Sequence, residues 1–532
     1  MDQFVTLSWW LVSKVVHSIF YDSGKSGMKR RTFLGAAGLS TSGLLLPTYA
    51  LAQGQRGSNE LNIPGLLAGE MANGRRHYRL QAQRGTTRFF SDLETPTFGY
   101  NGSYLGPTLR LRDGEDVTMH VTNTLGEPTT THWHGLHVPA SADGGPHIVI
   151  ENGETWSPEF QVMEHAGTFW YHSHLISKTG EQVYQGLAGM IIVDDEESEN
   201  LALPWDYGVD DIPVVIQDRR FNTDGSFQYV TAHSDIMTGL TGNAILVNGT
   251  LDPYFVPTTS KVRFRLLNGS NARTYNLAFS DGRSFQQLSC DGGFLDVAFE
   301  MNVIELGPAE RCDIVVDVSD GNPVNLVSLP MAADSPYQSR GMMRNMHPMN
   351  NERLHILAVR PQSNLARSED LPTQLVPMTR FEERGIDNTR QFTLSMAMGM
   401  GGMMGRGGGG GRRGGMMGGG DQFFINGQGM DMSVINERIP MGTTEIWEIT
   451  NDSMMMHPFH VHHGQFQVLD RNGRPVHSHE RGYKDTVKVG PGETVRLVMT
   501  FDHFSDPDLP YMYHCHILEH EDNGMMGQFV VV

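Results

Sequence analysis

The sequence predicts an all-β protein built as three related β-sandwich domains. Strand-length apolar runs punctuated by Gly, Asn, Asp and Pro fill the chain after its first 52 residues, and sustained helical periodicity is hard to find. Three segments echo one another: Phe98-Gly99-Tyr100-Asn101-Gly102, Ile245-Leu246-Val247-Asn248-Gly249 and Phe424-Ile425-Asn426-Gly427. Each is followed by an alternating strand that ends in asparagine, at Asn123, Asn268 and Asn451. A repeat spaced roughly 150 to 180 residues apart marks sandwich-sized domains, not a short-period solenoid. Length agrees, since 532 residues at roughly 100 to 200 per domain make about three.

In chain order, residues 1–27 carry a short, interrupted apolar patch, and Met28 opens a better-formed pattern and reads as the true start. Lys29, Arg30 and Arg31 form a charged region, Phe33 to Leu46 a Gly-rich apolar one, and Ala50-Leu51-Ala52 a small-residue cleavage site. Arg30-Arg31-Thr32-Phe33-Leu34 resembles a twin-arginine export signal. Residues 1–52 are therefore read as an extension plus signal, delivered to the twin-arginine export machinery, with the mature chain in the periplasm. No later run of about 18 apolar residues is present, so stable membrane insertion is not expected. The domains are placed at 53–200, 201–370 and 371–532, with the second boundary in the Pro361 to Pro377 stretch. Within the third, 396–420 turns to glycine with Met396, Met398, Met400, Met403, Met404, Met416 and Met417, a surface insert that cannot build a core.

Composition narrows the function. Hydrophobic residues at 39% and charged residues at 19% supply packed cores. A net charge of -20 repels phosphate backbones, so nucleic acid is excluded as a partner. Three cysteines make neither a disulfide scaffold nor a thiolate zinc framework, whereas 23 His and 31 Met are abundant borderline and soft metal ligands.

The chemistry is concentrated in four pairs, His132/His134, His172/His174, His460/His462 and His514/His516. Residues i and i+2 of a strand project from one face about 7 Å apart, so each pair can serve one metal or two adjacent ones. All four lie in the first and third repeats, which places a metal cluster between those domains with the second as a spacer. Cys515 must point to the opposite face from its flanking histidines. Around it His457, His520 and Met525 complete two imidazoles, a thiolate and a weak thioether, the ligand set of a mononuclear blue-copper centre.

His132-Trp133-His134-Gly135, Tyr171-His172-Ser173-His174, His457-Pro458-Phe459-His460-Val461-His462 and His514-Cys515-His516 through His520 to Met525 resemble the four copper motifs of the multicopper oxidases. The resemblance implies cupredoxin-like Greek-key sandwiches and four copper ions. It places type 1 copper on His457, Cys515, His520 and Met525, and type 2 on His132 and His460. The type 3 pair falls to His134, His172, His174, His462, His514 and His516. His463 stands where the family usually has glycine and is read as a non-ligand.

Met454-Met455-Met456 before His457, the ending Glu519-His520-Glu521-Asp522-Asn523-Gly524-Met525-Met526 and the Met-rich insert look most like the bacterial copper-efflux, or cuprous, oxidases. That likeness implies oxidation of Cu(I) with O2 as acceptor, and a role in copper tolerance. Met396 and Met455 match cuprous-ion ligands of that group; its aspartates fall on Gly401 and Ser453, with Asp452 one place away. A laccase-like oxidase of phenols and aromatic amines therefore stays open, as does a copper-binding protein without catalysis. Asp143 and Glu521 match the family's proton-delivering carboxylates, which O2 reduction needs. Cys290 and Cys312 can pair or remain two buried thiols, and passage of a folded twin-arginine substrate favours thiols. A monomer is expected.

Overall fold

The structure, a computed structural model, describes residues 57–341, 343, 351–381, 383–397 and 422–532. The export signal and the Met- and Gly-rich insert beyond Ala397 lie outside the described residues.

Among the described residues, six sheets pair into three sandwiches, each closed over its own apolar core. In the first, Arg75–Phe90, Asp116–Thr124 and their neighbours face a sheet holding Thr108–Arg112, Ala188–Asp194, Gly167–His172 and His132–His134. Period-two patterning fills the space between, with Tyr78, Leu80 and Ala82 against Val117, Met119 and Val121 on one side and Leu109, Leu111, Ile191 and Val193 on the other. The second sandwich buries Ile212, Val214 and Ile216 with Val262, Phe264 and Leu266. Its facing sheet recruits Asn59–Glu60, which pairs in parallel with Pro253–Phe255 before the chain enters the first sandwich. The third closes Asn388–Met396, Thr443–Asn451 and Thr494–Phe501 over His457–Val461, Asp506–Cys515 and Met526–Val531.

The threefold repeat has a physical cause in two asparagines per sandwich. Asn101, Asn248 and Asn426 take φ of 56, 50 and 53°, the left-handed region that asparagine tolerates better than most residues. Each side chain then pairs with one backbone N–H and one carbonyl of a neighbouring strand: Gln81 and Arg79, Val215 and Pro213, Thr393 and Gln391. At the strand ends, Asn123, Asn268 and Asn451 each donate Nδ2 to two carbonyls at 2.7 to 2.9 Å. Irregular chain at the sandwich ends is pinned by these bonds, and in the first and third sandwiches the first metal-donor motif follows, at His132 and His457.

The first and second sandwiches meet through a buried group in which Arg263 and Arg265 face Asp211 and Asp313, with Thr168 donating to Asp313 at 2.7 Å. The first and third meet at Tyr511, which donates to the Val138 carbonyl at 2.9 Å, and at the histidine motifs. Cys290, Cys312 and Cys515 are all free and buried. Among the described residues, no helix is long and apolar enough to cross a membrane.

Candidate metal centre

Two antiparallel strand pairs deliver the histidines. His132–His134 lies against Gly167–His172 with His132 opposite His172, and His457–Val461 lies against Asp506–Cys515 with His460 opposite His514. The second member of three pairs, His174, His462 and His516, sits just past its strand end, where the backbone is free to aim the ring. Across the interdomain seam the imidazoles stack, His132 on His462 with centroids 3.8 Å apart and His134 on His460 at 3.7 Å.

The donor atoms fall into groups, in each of which all lie within 4.8 Å of one another: His132, His134 and His460; His134, His172 and His516, with His134 common to both; and His174, His462 and His514. The six histidines that the sequence left undivided thus separate into two triads, each mixing both sandwiches. A further group joins His457, Cys515 and His520, with Cys515 Sγ 3.4 Å from His457 Nδ1 and 3.7 Å from His520 Nδ1. Met525 is buried beside it, its carbonyl accepting the Cys515 N–H at 3.0 Å. Cys515 faces the sandwich core while His514 and His516 face the seam, as strand alternation demands.

These groups fit a soft, redox-active cation. Burial lowers the pKa of His457 and His516 to about 3 and of His174 to about 4, so the rings are neutral donors. Burial pushes the Cys515 thiol well up, so its thiolate needs a cation beside it. His132 Nε2 and His460 Nε2 are buried without a hydrogen-bond partner, an arrangement that a shared metal satisfies.

Carboxylates surround the donors. Asp143 Oδ2 lies 2.8 Å from His462 Nδ1 and 3.5 Å from His132 Nδ1. Burial raises its pKa, but His462 and His132 outweigh that and hold it well below the carboxylate range. Glu521 spans His514 Nδ1 at 3.1 Å and His174 Nδ1 at 3.4 Å. Here too burial opposes ionisation and the two histidines overcome it. Asp485 had no motif to reveal it: its Oδ1 lies 3.0 Å from His134 Nε2 and its carbonyl 2.7 Å from His460 Nδ1. Ser453, standing where the cuprous oxidases have aspartate, places Oγ 2.8 Å from His457 Nε2.

Of the candidate substrate residues, Met455 is buried in the third core and Met396 and Met454 pack against it. Asp452 is exposed and joins none of the donor groups among the described residues. His463 enters none either; it is buried at φ 81°, its Nε2 held 2.9 Å from the His503 carbonyl.

Family models described as multicopper oxidase match residues 81–198 and 412–532. A Staphylococcus aureus protein named multicopper oxidase mco is 35% identical over 483 residues, 90% of this chain and 93% of that protein. The chain belongs to the multicopper oxidases. It is an oxidase, and copper is the metal that membership implies. A laccase-like multicopper oxidase CueO from Ochrobactrum sp. superposes with a TM-score of 0.76 at 34% identity, covering 89% of this chain and all of that one. A Dickeya dadantii relative, 34% identical over 94% of this chain and 98% of its own length, is named cell division protein FtsP. Within a family that carries such different names, the donor set is what speaks for this oxidase's chemistry.

Proposed function

We propose that this oxidase holds four copper ions, takes electrons from Cu(I), and passes them to O2 in the periplasm, in the service of copper tolerance. The observation that carries the reading is one strand end: Cys515 enters the His457 and His520 group while His514 and His516 on either side enter the two imidazole triads. His457, Cys515, His520 and Met525 would hold the type 1 ion, His132 and His460 the type 2 ion, and the two triads the type 3 pair. Bound copper supplies one-electron oxidation at the thiolate centre and four-electron reduction of O2 to two waters at the other three.

The protein's own residues do the rest. Cys515 links the two sites through a covalent path of about one residue to His514 or His516, short enough to carry electrons. Asp143, hydrogen-bonded to His462 Nδ1, and Glu521, 3.1 Å from His514 Nδ1, stand where they can relay the four protons that two waters require. Packing at the seam keeps bulk water from the triads, since all eight paired imidazoles are buried.

Cu(I) as donor is supported by the thioethers of Met396, Met454 and Met455, which lie in or against the third core, and by Ser453, which ties the Met454 to Met456 segment to His457. A second reading, oxidation of phenols, is favoured by the Ochrobactrum relative, which acts on lignin model compounds and lignosulfonate. Steady-state O2 uptake with Cu(I) and with a phenol, each with and without added Cu(II), separates them. Saturable Cu(I)-driven uptake that exceeds phenol-driven uptake supports the proposal; the reverse order replaces it with the laccase reading. The twin-arginine reading rests on residues 28–52 and is tested by whether replacing Arg30 and Arg31 with Lys leaves the protein in the cytoplasm.

A further inference from the structure

We propose that Arg311, in a sandwich that among the described residues contributes no donor to any candidate metal group, is a positioning residue for the trinuclear site, acting through Asp485 to fix the nitrogen that His134 presents. The inference rests on the four-copper reading above.

His134 differs from the histidines around it. His132, His172, His460, His462 and His514 engage Nδ1 outward, with Asp143, Ser173, Asp485, Asp143 and Cys515, and so turn Nε2 toward the site. His134 does the opposite: Nε2 meets Asp485 Oδ1 at 3.0 Å, and Nδ1 lies 3.4 Å from His172 Nε2. A neutral imidazole carries one hydrogen, and a carboxylate whose two oxygens both accept from a guanidinium offers an acceptor to Nε2. Asp485 therefore draws the hydrogen to Nε2 and leaves the Nδ1 lone pair facing inward. Thr486 Oγ1, 3.3 Å from the same Nε2, does not compete as a donor, because it donates to Asp485 Oδ1 at 2.9 Å.

Arg311 in turn fixes Asp485. Its Nη1 and Nη2 donate to Oδ1 and Oδ2 at 2.7 and 2.5 Å, a two-point grip that permits one carboxylate orientation. Nε donates to the Thr168 carbonyl of the first sandwich at 3.0 Å. The remaining Nη hydrogens reach the Ala309 and Asp291 carbonyls of the second, at 3.2 and 2.9 Å. All five N–H groups of one buried guanidinium are thus spent across three sandwiches. The fit leaves no slack: at Gly135, next to His134 and with φ 91°, a Cβ would lie 2.4 Å from Asp485 Oδ2 and 2.9 Å from Arg311 Nη2. The second sandwich is more than a spacer; it orients a donor of the site that the other two form.

Removing one partner of a buried ion pair risks unfolding, whereas replacing both with apolar side chains of similar volume is often tolerated. The test therefore uses Arg311→Lys, which keeps the charge but cannot grip two oxygens, and the double variant Arg311→Met/Asp485→Leu. Copper per chain, the rate of copper loss to a chelator, the blue absorption and the Tm of the copper-free protein are measured against wild type. Loss of an outer hydrogen-bond partner typically weakens metal affinity about 10- to 100-fold. The expected result is a fall of that order in retention of the non-blue copper, larger in the double variant, with the blue band and copper-free Tm kept. Wild-type copper retention in both variants overturns the proposal. So does parallel loss of blue and non-blue copper with a lowered copper-free Tm, which marks plain domain packing. An unmodified protein that takes up no copper beyond the blue centre overturns the four-copper reading itself, and that is read from wild type alone.

Discussion

Replacing Asp143 with Asn separates proton delivery from electron delivery. The carboxylate makes both of its histidine contacts through Oδ2, at 2.8 Å to His462 and 3.5 Å to His132, while Oδ1 is buried without a hydrogen-bond partner. An asparagine can keep its carbonyl oxygen in the Oδ2 position, accept from His462 Nδ1 as before, and place its amide where Oδ1 stood. Donor-ring orientation and copper content should therefore survive. What disappears is a carboxylate that can accept a proton and pass it on, and such groups contribute roughly 10²- to 10⁴-fold to rate. Because Glu521 remains on the far triad, the lower end is expected: about 10²-fold in kcat, or about 2.7 kcal/mol of barrier. Stopped-flow absorbance isolates the step. Anaerobic bleaching of the blue band by reductant should run at the wild-type rate, and recovery of the band on mixing with O2 should slow about 100-fold. Recovery at the wild-type rate would refute the assignment and return Asp143 to the role of a seam hydrogen bond; slowed bleaching would show that the substitution had disturbed the thiolate centre.

Cys515→Ser should abolish the blue absorption and leave most of the remaining copper bound, since the imidazole groups share no donor with the thiolate group; metal analysis that finds only one or two ions in a fully loaded wild-type sample would contradict the count. Deleting Met398 to Gly419 should depress Cu(I) oxidation and leave phenol oxidation unchanged or higher. The deletion should also fold, because the insert leaves and re-enters at paired strand ends, Met396 opposite Phe423 with the Ala397 N–H on the Gln422 carbonyl at 2.8 Å; unchanged Cu(I) kinetics would make the insert a passive linker. Asn248→Ala should cost about 2 to 4 kcal/mol, from a buried N–H and carbonyl left unpaired plus alanine forced to φ near 50°, and should lower the urea midpoint of the second sandwich; an unchanged midpoint would deny the asparagine its pinning role.

Donor residues were legible because their spacing is itself geometry. A strand turns every second residue the same way, so four His-Xaa-His pairs and one cysteine between two histidines already specify two kinds of site. The partition of six histidines into mixed triads was not legible, because it depends on which ring of one sandwich stacks on which ring of the other. Asp485 was hidden for a related reason: a lone carboxylate between Lys484 and Thr486 has no periodic partner, and its importance arises from contacts with Arg311 and His134, 174 and 351 positions away. Arg311 left a fainter trace, an arginine opening the strand Arg311–Asp317 with three apolar residues at its centre. The asparagine repeats were visible as letters, but their reason is a pattern of side-chain bonds to neighbouring strands. Ser453 shows the converse risk: read only as a missing aspartate, it proves to touch His457 directly.

The seam histidines belong in equal number to two sandwiches, and no group of them comes from one side alone. One triad takes two rings from the first sandwich and one from the third, the other takes one and two, and the remaining pair takes one from each. Copper in such a seam acts as a fastener as well as a reagent. A sandwich that folded in isolation could offer any ion no more than two of its imidazoles, so full ligation must follow docking, and each ion then resists the separation of the halves that hold it. By mass action, ions bound only by the docked form raise the free energy of pulling the sandwiches apart by RT ln(1 + [L]/Kd) for each site. The seam that performs the chemistry would therefore also be the joint that tightens as the enzyme is loaded.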